Sequence, residues 1–255
     1  MTGPFPRPRP GLLFLHAPKT GGSSIAAALR RRYRGRHTHI KSAPSARAAA
    51  WLSARGDVEA VQRLRQGLAL YAFASGRRLV AGHVWYDPAM AHLQEQGILL
   101  ATCLREPVAR WISEYLYGHY RQAAYGVIEE DLGTFLESDR ARQMGETYVR
   151  YYGGIREDRD YRSEAAVTRA VERLAGLDLV GRLDRLPALA AGLARHGVRV
   201  RFPHRRRTRA PEEARARLAS DRSLRARIEE LCAPDRALWE RARALPLPGL
   251  GDDRP

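Results

Sequence analysis

Lysine is nearly missing from this chain: of 44 basic residues in 255, all but Lys19 and Lys41 are arginine. Cysteine is as scarce. Cys103 and Cys232 form no CxxC pair and have no metal-ligand spacing, so neither a disulfide framework nor a cysteine metal site is expected, only two buried, reduced thiols. No apolar run reaches the ~20 residues of a membrane span. Leu12 to Leu15 is too short for the apolar core of a signal peptide. No segment repeats, and no linker interrupts residues 11–245, so a single domain is expected there.

What is present is a globular composition. With 44% hydrophobic and 28% charged residues, the chain carries enough apolar surface for a core that needs no staples. Residues 1–10 are rich in proline and arginine and read as a flexible lead, and residues 246–255 as a flexible tail. The net charge of +16 implies an anionic partner. The arginines are spread over many segments without interleaved aromatics, so a specific nucleic-acid partner is not expected. The densest runs, Arg30–Arg36 and Arg205–Arg209, suit a solvated face as well as a binding patch.

Strands and helices alternate along the chain. Residues 12–16 read as a short apolar strand, and 23–33 as a helix with Ile25 and Leu29 on one face. Residues 45–75 read as two polar helices broken at Gly56-Asp57. A second strand is expected over 78–83, ending at His83, and a third over 97–104, continuously apolar as a central parallel strand is. Pro107 opens a helix whose Val108, Trp111, Ile112, Tyr115 and Leu116 form an apolar face. Residues 126–175 read as a helical insertion or lid. A fourth strand is expected over 177–180, a helix over 183–196 ended by Gly197, and a fifth strand over 198–202. Two helices broken at Pro234 follow, with Asp235 capping the last. The alternation predicts an α/β domain with a central, mostly parallel sheet flanked by helices.

Two segments carry chemistry. In Gly11-Leu-Leu-Phe-Leu-His-Ala-Pro-Lys-Thr-Gly-Gly-Ser-Ser24 a strand runs through a glycine turn into a helix. Such a turn offers backbone N–H groups and the positive end of a helix dipole to an anion. Lys19 adds a compact ammonium, a point charge where arginine would present a wide fork. The lysine precedes Gly21 and Gly22, whereas a Walker A loop places it after the glycines, so an ordinary nucleotide kinase is disfavoured. The second segment, Leu104-Arg-Glu-Pro-Val-Ala-Arg-Trp-Ile-Ser-Glu-Tyr115, begins where the third strand ends. Arg105 sits at the strand's carboxyl edge, where open α/β sheets bind ligands. Ser113, eight residues on, lies about two helical turns away. The two can converge on one phosphate, with a forked donor and a hydroxyl.

The first segment resembles the 5′-phosphosulfate loop of sulfotransferases that use 3′-phosphoadenosine 5′-phosphosulfate (PAPS). The second resembles their 3′-phosphate motif, R-[DE]-P-x-x-R-x-x-S-x-Y. Together they resemble the carbohydrate sulfotransferases, notably the heparan sulfate 2-O- and 6-O-enzymes and their bacterial relatives. The resemblance is strong over 11–34 and 79–120. It is weaker over 176–245, where Val180-Gly-Arg-Leu-Asp184 and Asp235-Arg-Ala-Leu-Trp239 echo late segments of the family.

The resemblance implies a P-loop-like sulfotransferase fold and a sulfuryl transfer from PAPS, the co-substrate, to a hydroxyl of a carbohydrate or related metabolite, with no metal. It assigns Lys19 to the transferring sulfate and 5′-phosphate. Thr20, Gly21, Gly22, Ser23 and Ser24 would line that phosphate, and Arg105 and Ser113 would grip the 3′-phosphate. Val80-Ala-Gly-His83 matches the family's Gly-His at the position of the base. The 2-O enzymes carry a second histidine where this chain has Ala81, so a single base is expected. That base needs a pKa near neutrality, which histidine has by type. Glu106, Asp87 and His119 are reserve bases, and His16 is read as structural. Residues 148–154, with Arg150, Tyr151 and Tyr152, suit an acceptor wall or a core helix end equally, and Arg205–Arg209 a clamp on nucleotide or acceptor. The membrane-anchored members carry an N-terminal span that this sequence does not display, so a cytoplasmic location is expected. Two other classes stay open: a nucleotide-dependent phosphotransferase and a non-catalytic polyanion binder.

Overall fold

In β1 (Gly11–Leu15) successive side chains point to opposite faces, as a strand's period of two dictates: Leu13 and Leu15 enter one core, Leu12 and Phe14 another. Both faces of this strand are therefore covered. The structure is a computed structural model that describes residues 10–53, 57–120, 126–202 and 210–245. After β1 come α1 (Gly22–Arg32), β2 (His37–Ile40), α2 (Ser42–Ala49), α3 (Val58–Ala74), β3 (Leu79–Gly82), α4 (Ala91–Glu95) and β4 (Ile98–Leu104). Next are α5 (Pro107–His119), α6 (Leu132–Leu136), α7 (Asp139–Gly145), α8 (Thr147–Gly153), α9 (Glu164–Ala175) and β5 (Leu179–Arg182). The chain closes with α10 (Leu186–Arg195), α11 (Glu212–Ser220), α12 (Arg222–Leu231) and α13 (Ala233–Ala244).

The sheet is five-stranded and parallel throughout, in the order β2-β3-β1-β4-β5. The α/β class with helices on both faces is thus observed. One face packs on α3, α8, α9 and α13 through Leu13, Val80, Leu100, Tyr148, Tyr152 and Trp239. The other packs on α1 and α10 through Leu12, Phe14, Ile25, Leu29, Leu79 and Leu189. A third cluster, with Trp111, Phe135 and Ile228, joins α5 to α6, α7 and α12. Truncating one of these fully buried leucines to alanine costs about 2–5 kcal/mol, since the hole cannot collapse.

Several sequence expectations are corrected. Residues 198–202 form no strand: Val198 is buried and Val200 and Phe202 pack on the second core, but none of them joins the sheet. The fifth strand is β2 instead, whose sequence His-Thr-His-Ile lacks the apolar run because it pairs only with β3 at the sheet's edge. β5 lies two residues later than expected. The helices of 126–175 are not a lid. Tyr148 and Tyr152 of α8 are fully buried, and the Tyr152 and Thr102 hydroxyls hydrogen-bond at 2.9 Å. The expected break falls at Cys232, between α12 and α13, and Pro234 sits in the first turn of α13, where its missing N–H costs nothing. Asp235 does not cap that helix. Its buried carboxylate accepts from the N–H groups of Tyr148 (2.8 Å) and Val149 (3.1 Å), tying α13 to the start of α8. Both cysteines are free and buried, and burial pushes the Cys232 thiol up to about 12. Arg205–Arg209, residues 1–9 and 246–255 lie outside the described residues. Among the described residues no helix is long and apolar enough to cross a membrane.

Candidate active site

The chain leaves β1 at the middle of the sheet. β1 sits between β3 and β4, so the strand order reverses there, and the carboxyl ends of β1 and β4 are where an open α/β sheet binds ligands. In the loop that follows, Lys19 (φ +62°) and Gly21 (φ +80°) both adopt left-handed backbone around Thr20. Such alternation makes a concave run of N–H groups suited to an anion. The Thr20 hydroxyl is buried and donates to the Ala17 carbonyl (2.8 Å), so it pins the loop rather than facing a ligand. Gly21 is the N-cap of α1 and supplies no side chain to its first N–H groups, and no acidic residue sits in the first turn. Among the described residues the N–H groups of Thr20, Gly21, Gly22 and Ser23 donate to no backbone carbonyl. Both glycines lie close against a neighbouring side chain. A Cβ on Gly21 would lie 2.4 Å from Leu183, and one on Gly22 1.9 Å from the His16 ring.

Two cations flank this cradle. The Lys19 ammonium lies 3.6 Å from the centre of the Tyr117 ring on α5. The Arg105 guanidinium reaches across from β4 and donates through Nη1 to the Lys19 carbonyl at 3.4 Å. The structure therefore joins the two sequence segments. Arg105 is itself fixed: the buried Tyr148 hydroxyl accepts from the Arg105 N–H (2.8 Å) and donates to its carbonyl (2.6 Å). Burial holds the Tyr148 phenol well above its ordinary value, so the donor is retained. Ser113 lies on α5 one turn before Tyr117, hence on the face that meets Lys19, and is half-buried. Ser23 is exposed and Ser24 half-buried at the mouth of the turn.

His83 follows β3 on the other side of β1. Its Nδ1 lies 2.6 Å from the His16 carbonyl. A carbonyl only accepts, so Nδ1 carries the proton and Nε2 holds the lone pair. Nε2 makes no hydrogen bond among the described residues, and the side chain keeps partial exposure. Desolvation lowers the His83 pKa to about 4, opposed by the His16 hydrogen bond and reinforced by Arg65 and His39. The near-neutral value expected from residue type is therefore corrected: the imidazole is neutral across the physiological range. Of the reserve bases, the two carboxylates serve as caps, and His119 is held through Nδ1 as His83 is. Glu106 caps α5 through the N–H groups of Val108 and Ala109, Asp87 caps the turn at Ala89, and His119 Nδ1 bonds the Ile128 carbonyl.

Residues 148–154 resolve to a core helix end, since Tyr148, Tyr151 and Tyr152 are buried. A cleft of about 420 Å³ opens instead beside Trp85, lined also by Asp57, Glu59, Gln143, Arg150, Arg159 and Tyr161. Sequence reading missed two supports. Arg110, inside the second motif, is fully buried and bonds Glu114 and the Met144 carbonyl, which locks α5 onto α7. Tyr148 carries no sequence signal linking it to Arg105, 43 residues away. Among the described residues no group of three or more His, Cys, Asp or Glu side chains is placed to hold a metal ion. Compared with protein-family models and with curated proteins, the chain gives no match.

Proposed function

We propose that the chain is a PAPS-dependent sulfotransferase that acts on a hydroxyl of a carbohydrate or related metabolite. The observation that carries this reading is the contact between Arg105 and the Lys19 carbonyl, which brings an anion loop and a second cationic motif to one crevice. A nucleotide with phosphates at both ends of its ribose has use for both. The glycine loop and Lys19 would hold the 5′-phosphosulfate; Arg105 and Ser113 would hold the 3′-phosphate. His83 is neutral with Nε2 open, so it can accept the acceptor's proton, and its pKa of about 4 makes it a weaker base than a near-neutral histidine.

In the reaction the acceptor oxygen forms a bond to sulfur as the bond from sulfur to the 5′-phosphate oxygen breaks. The acceptor proton passes to His83 Nε2, and adenosine 3′,5′-bisphosphate leaves. Lys19 and the loop N–H groups stabilise charge that grows on the leaving phosphate, an electrostatic role that needs only fixed donors.

A thermal-shift titration tests this. Adenosine 3′,5′-bisphosphate binds only the native fold in this reading and raises its melting point. Adenosine 5′-monophosphate leaves Arg105 and Ser113 unused and does much less. Equal shifts from the two would remove the 3′-phosphate assignment.

A further inference from the structure

His16 follows β1 and has no part in the reaction as written above, yet its ring touches both the loop and the base. It stacks on the His83 imidazole with centroids 4.4 Å apart and planes 28° apart. Its ring also lies close against Gly22: a Cβ there would fall 1.9 Å from both Cδ2 and Nε2 of His16. The His16 carbonyl takes the proton of His83 Nδ1. The side chain is only 8% exposed, and its Nδ1 is buried without a hydrogen-bond partner. A buried imidazole that leaves a nitrogen unpaired is costly by itself. What the ring supplies is shape: a flat surface in contact with both the glycine turn and the base.

We propose that His16 is a positioning residue for His83, its ring acting as the spacer that sets the base at a fixed distance and tautomer relative to the anion loop. The proposal rests on the reaction assigned above. The glycine turn fixes where the donor's phosphate lies, the His16 ring lies flat against that turn, and the His83 ring lies flat against His16. The His16 ring thus touches both the loop and the base, and a shift of either is transmitted to the other. The stack also explains the tautomer. With the ring plane held, His83 Nδ1 stays on the carbonyl, and Nε2 faces the side left open. Without the wall, the His83 ring is free to turn about its Cβ–Cγ bond, which takes Nδ1 off the carbonyl and leaves the proton free to sit on either nitrogen.

The test uses the full chain labelled with 15N-histidine and three forms: wild type, His16→Phe and His16→Ala. Phenylalanine keeps a flat ring of similar size, and His16 Nδ1 has no hydrogen bond to lose. His83 resonances are assigned with His83→Gln, and its tautomer is read from two-bond nitrogen–proton correlations, without any substrate. Wild type and His16→Phe should both show one Nδ1–H tautomer, and His16→Ala a mixture. In parallel, kcat per folded molecule should stay within about threefold in His16→Phe and fall by on the order of tenfold or more in His16→Ala. KM for PAPS should move much less in both, since the loop's own donors are untouched. A lost tautomer in His16→Phe, or an unchanged spectrum and kcat in His16→Ala, would overturn the proposal. Should His16→Ala not fold, the His16→Phe spectrum decides alone. The expected spectra without sulfuryl transfer would uphold the spacer and sink the assigned reaction, so the two failures are distinct.

Discussion

Tyr148→Phe isolates a single oxygen at the heart of the site. The tyrosine is fully buried, so phenylalanine keeps its packing and leaves no cavity beyond one hydroxyl. The oxygen holds both main-chain groups of Arg105, accepting from its N–H at 2.8 Å and donating to its carbonyl at 2.6 Å. A typical intramolecular hydrogen bond contributes about 1 kcal/mol net, and a partner left buried and unpaired raises the loss to about 1–3 kcal/mol. Arg105 is only part-buried, so water reaches its backbone and the lower end applies. Two bonds then total about 2 kcal/mol. For a chain of this length that is roughly 4–8 °C in melting temperature. The same change frees the guanidinium from its fixed aim at the Lys19 carbonyl. Affinity for adenosine 3′,5′-bisphosphate should therefore fall about tenfold, the equivalent of roughly 1.4 kcal/mol. Urea unfolding with an unchanged m-value reads the first effect and calorimetric titration the second. A variant as stable as wild type with unchanged affinity would refute the claim that Tyr148 sets Arg105.

Lys19→Ala should lower turnover by on the order of a hundredfold, as for one lost electrostatic donor. Lys19→Arg should also be poor, because a wide fork replaces a point charge in a tight left-handed turn; wild-type rates from it would reduce Lys19 to generic charge. Gly22→Ala drives a methyl group into the His16 ring, so it should cost about 1–3 kcal/mol of stability and most bisphosphate affinity, read by unfolding and titration. The pH profile of kcat/KM should show its acid limb near 4, where free His83 ionises, and run flat through neutrality. His16 and His83 are both depressed in the fold by burial, so the unfolded chain binds more protons below its ordinary histidine pKa of about 6.5. Their contribution to stability is lost as pH falls from there towards 4. Asp235, raised by burial to about 7, pulls the other way, losing stability as pH rises from about 4 to 7. Asp235→Asn should steepen the net acid loss measured by unfolding across that window.

The elements that strand periodicity and apolar runs mark were legible in the sequence. β1 and β4 are central strands buried on both faces, and their hydrophobic runs say so. β2 was not legible, because an edge strand needs few apolar residues and His-Thr-His-Ile offers one. Residues 198–202 carried the alternation of a strand but pack by side chains alone. The loop and Arg105 were visible as motifs because their chemistry depends on neighbours in sequence. Tyr148, Asp235 and His16 were not, because each acts through contacts across tens of residues: Tyr148 on Arg105, Asp235 on α8, His16 on His83. The low pKa of His83 was likewise hidden, since burial rather than residue type sets it.

The most direct measurement is transfer of label by wild type and by Lys19→Ala, with 35S-labelled PAPS and γ-32P-labelled ATP offered in parallel to a panel of glycans, glycolipids and phenols. The account predicts 35S in a hydroxyl-bearing acceptor without added magnesium, sharply reduced in Lys19→Ala, and no 32P transfer. Transfer of 32P from ATP in the presence of magnesium, with the PAPS label left in place, would contradict it.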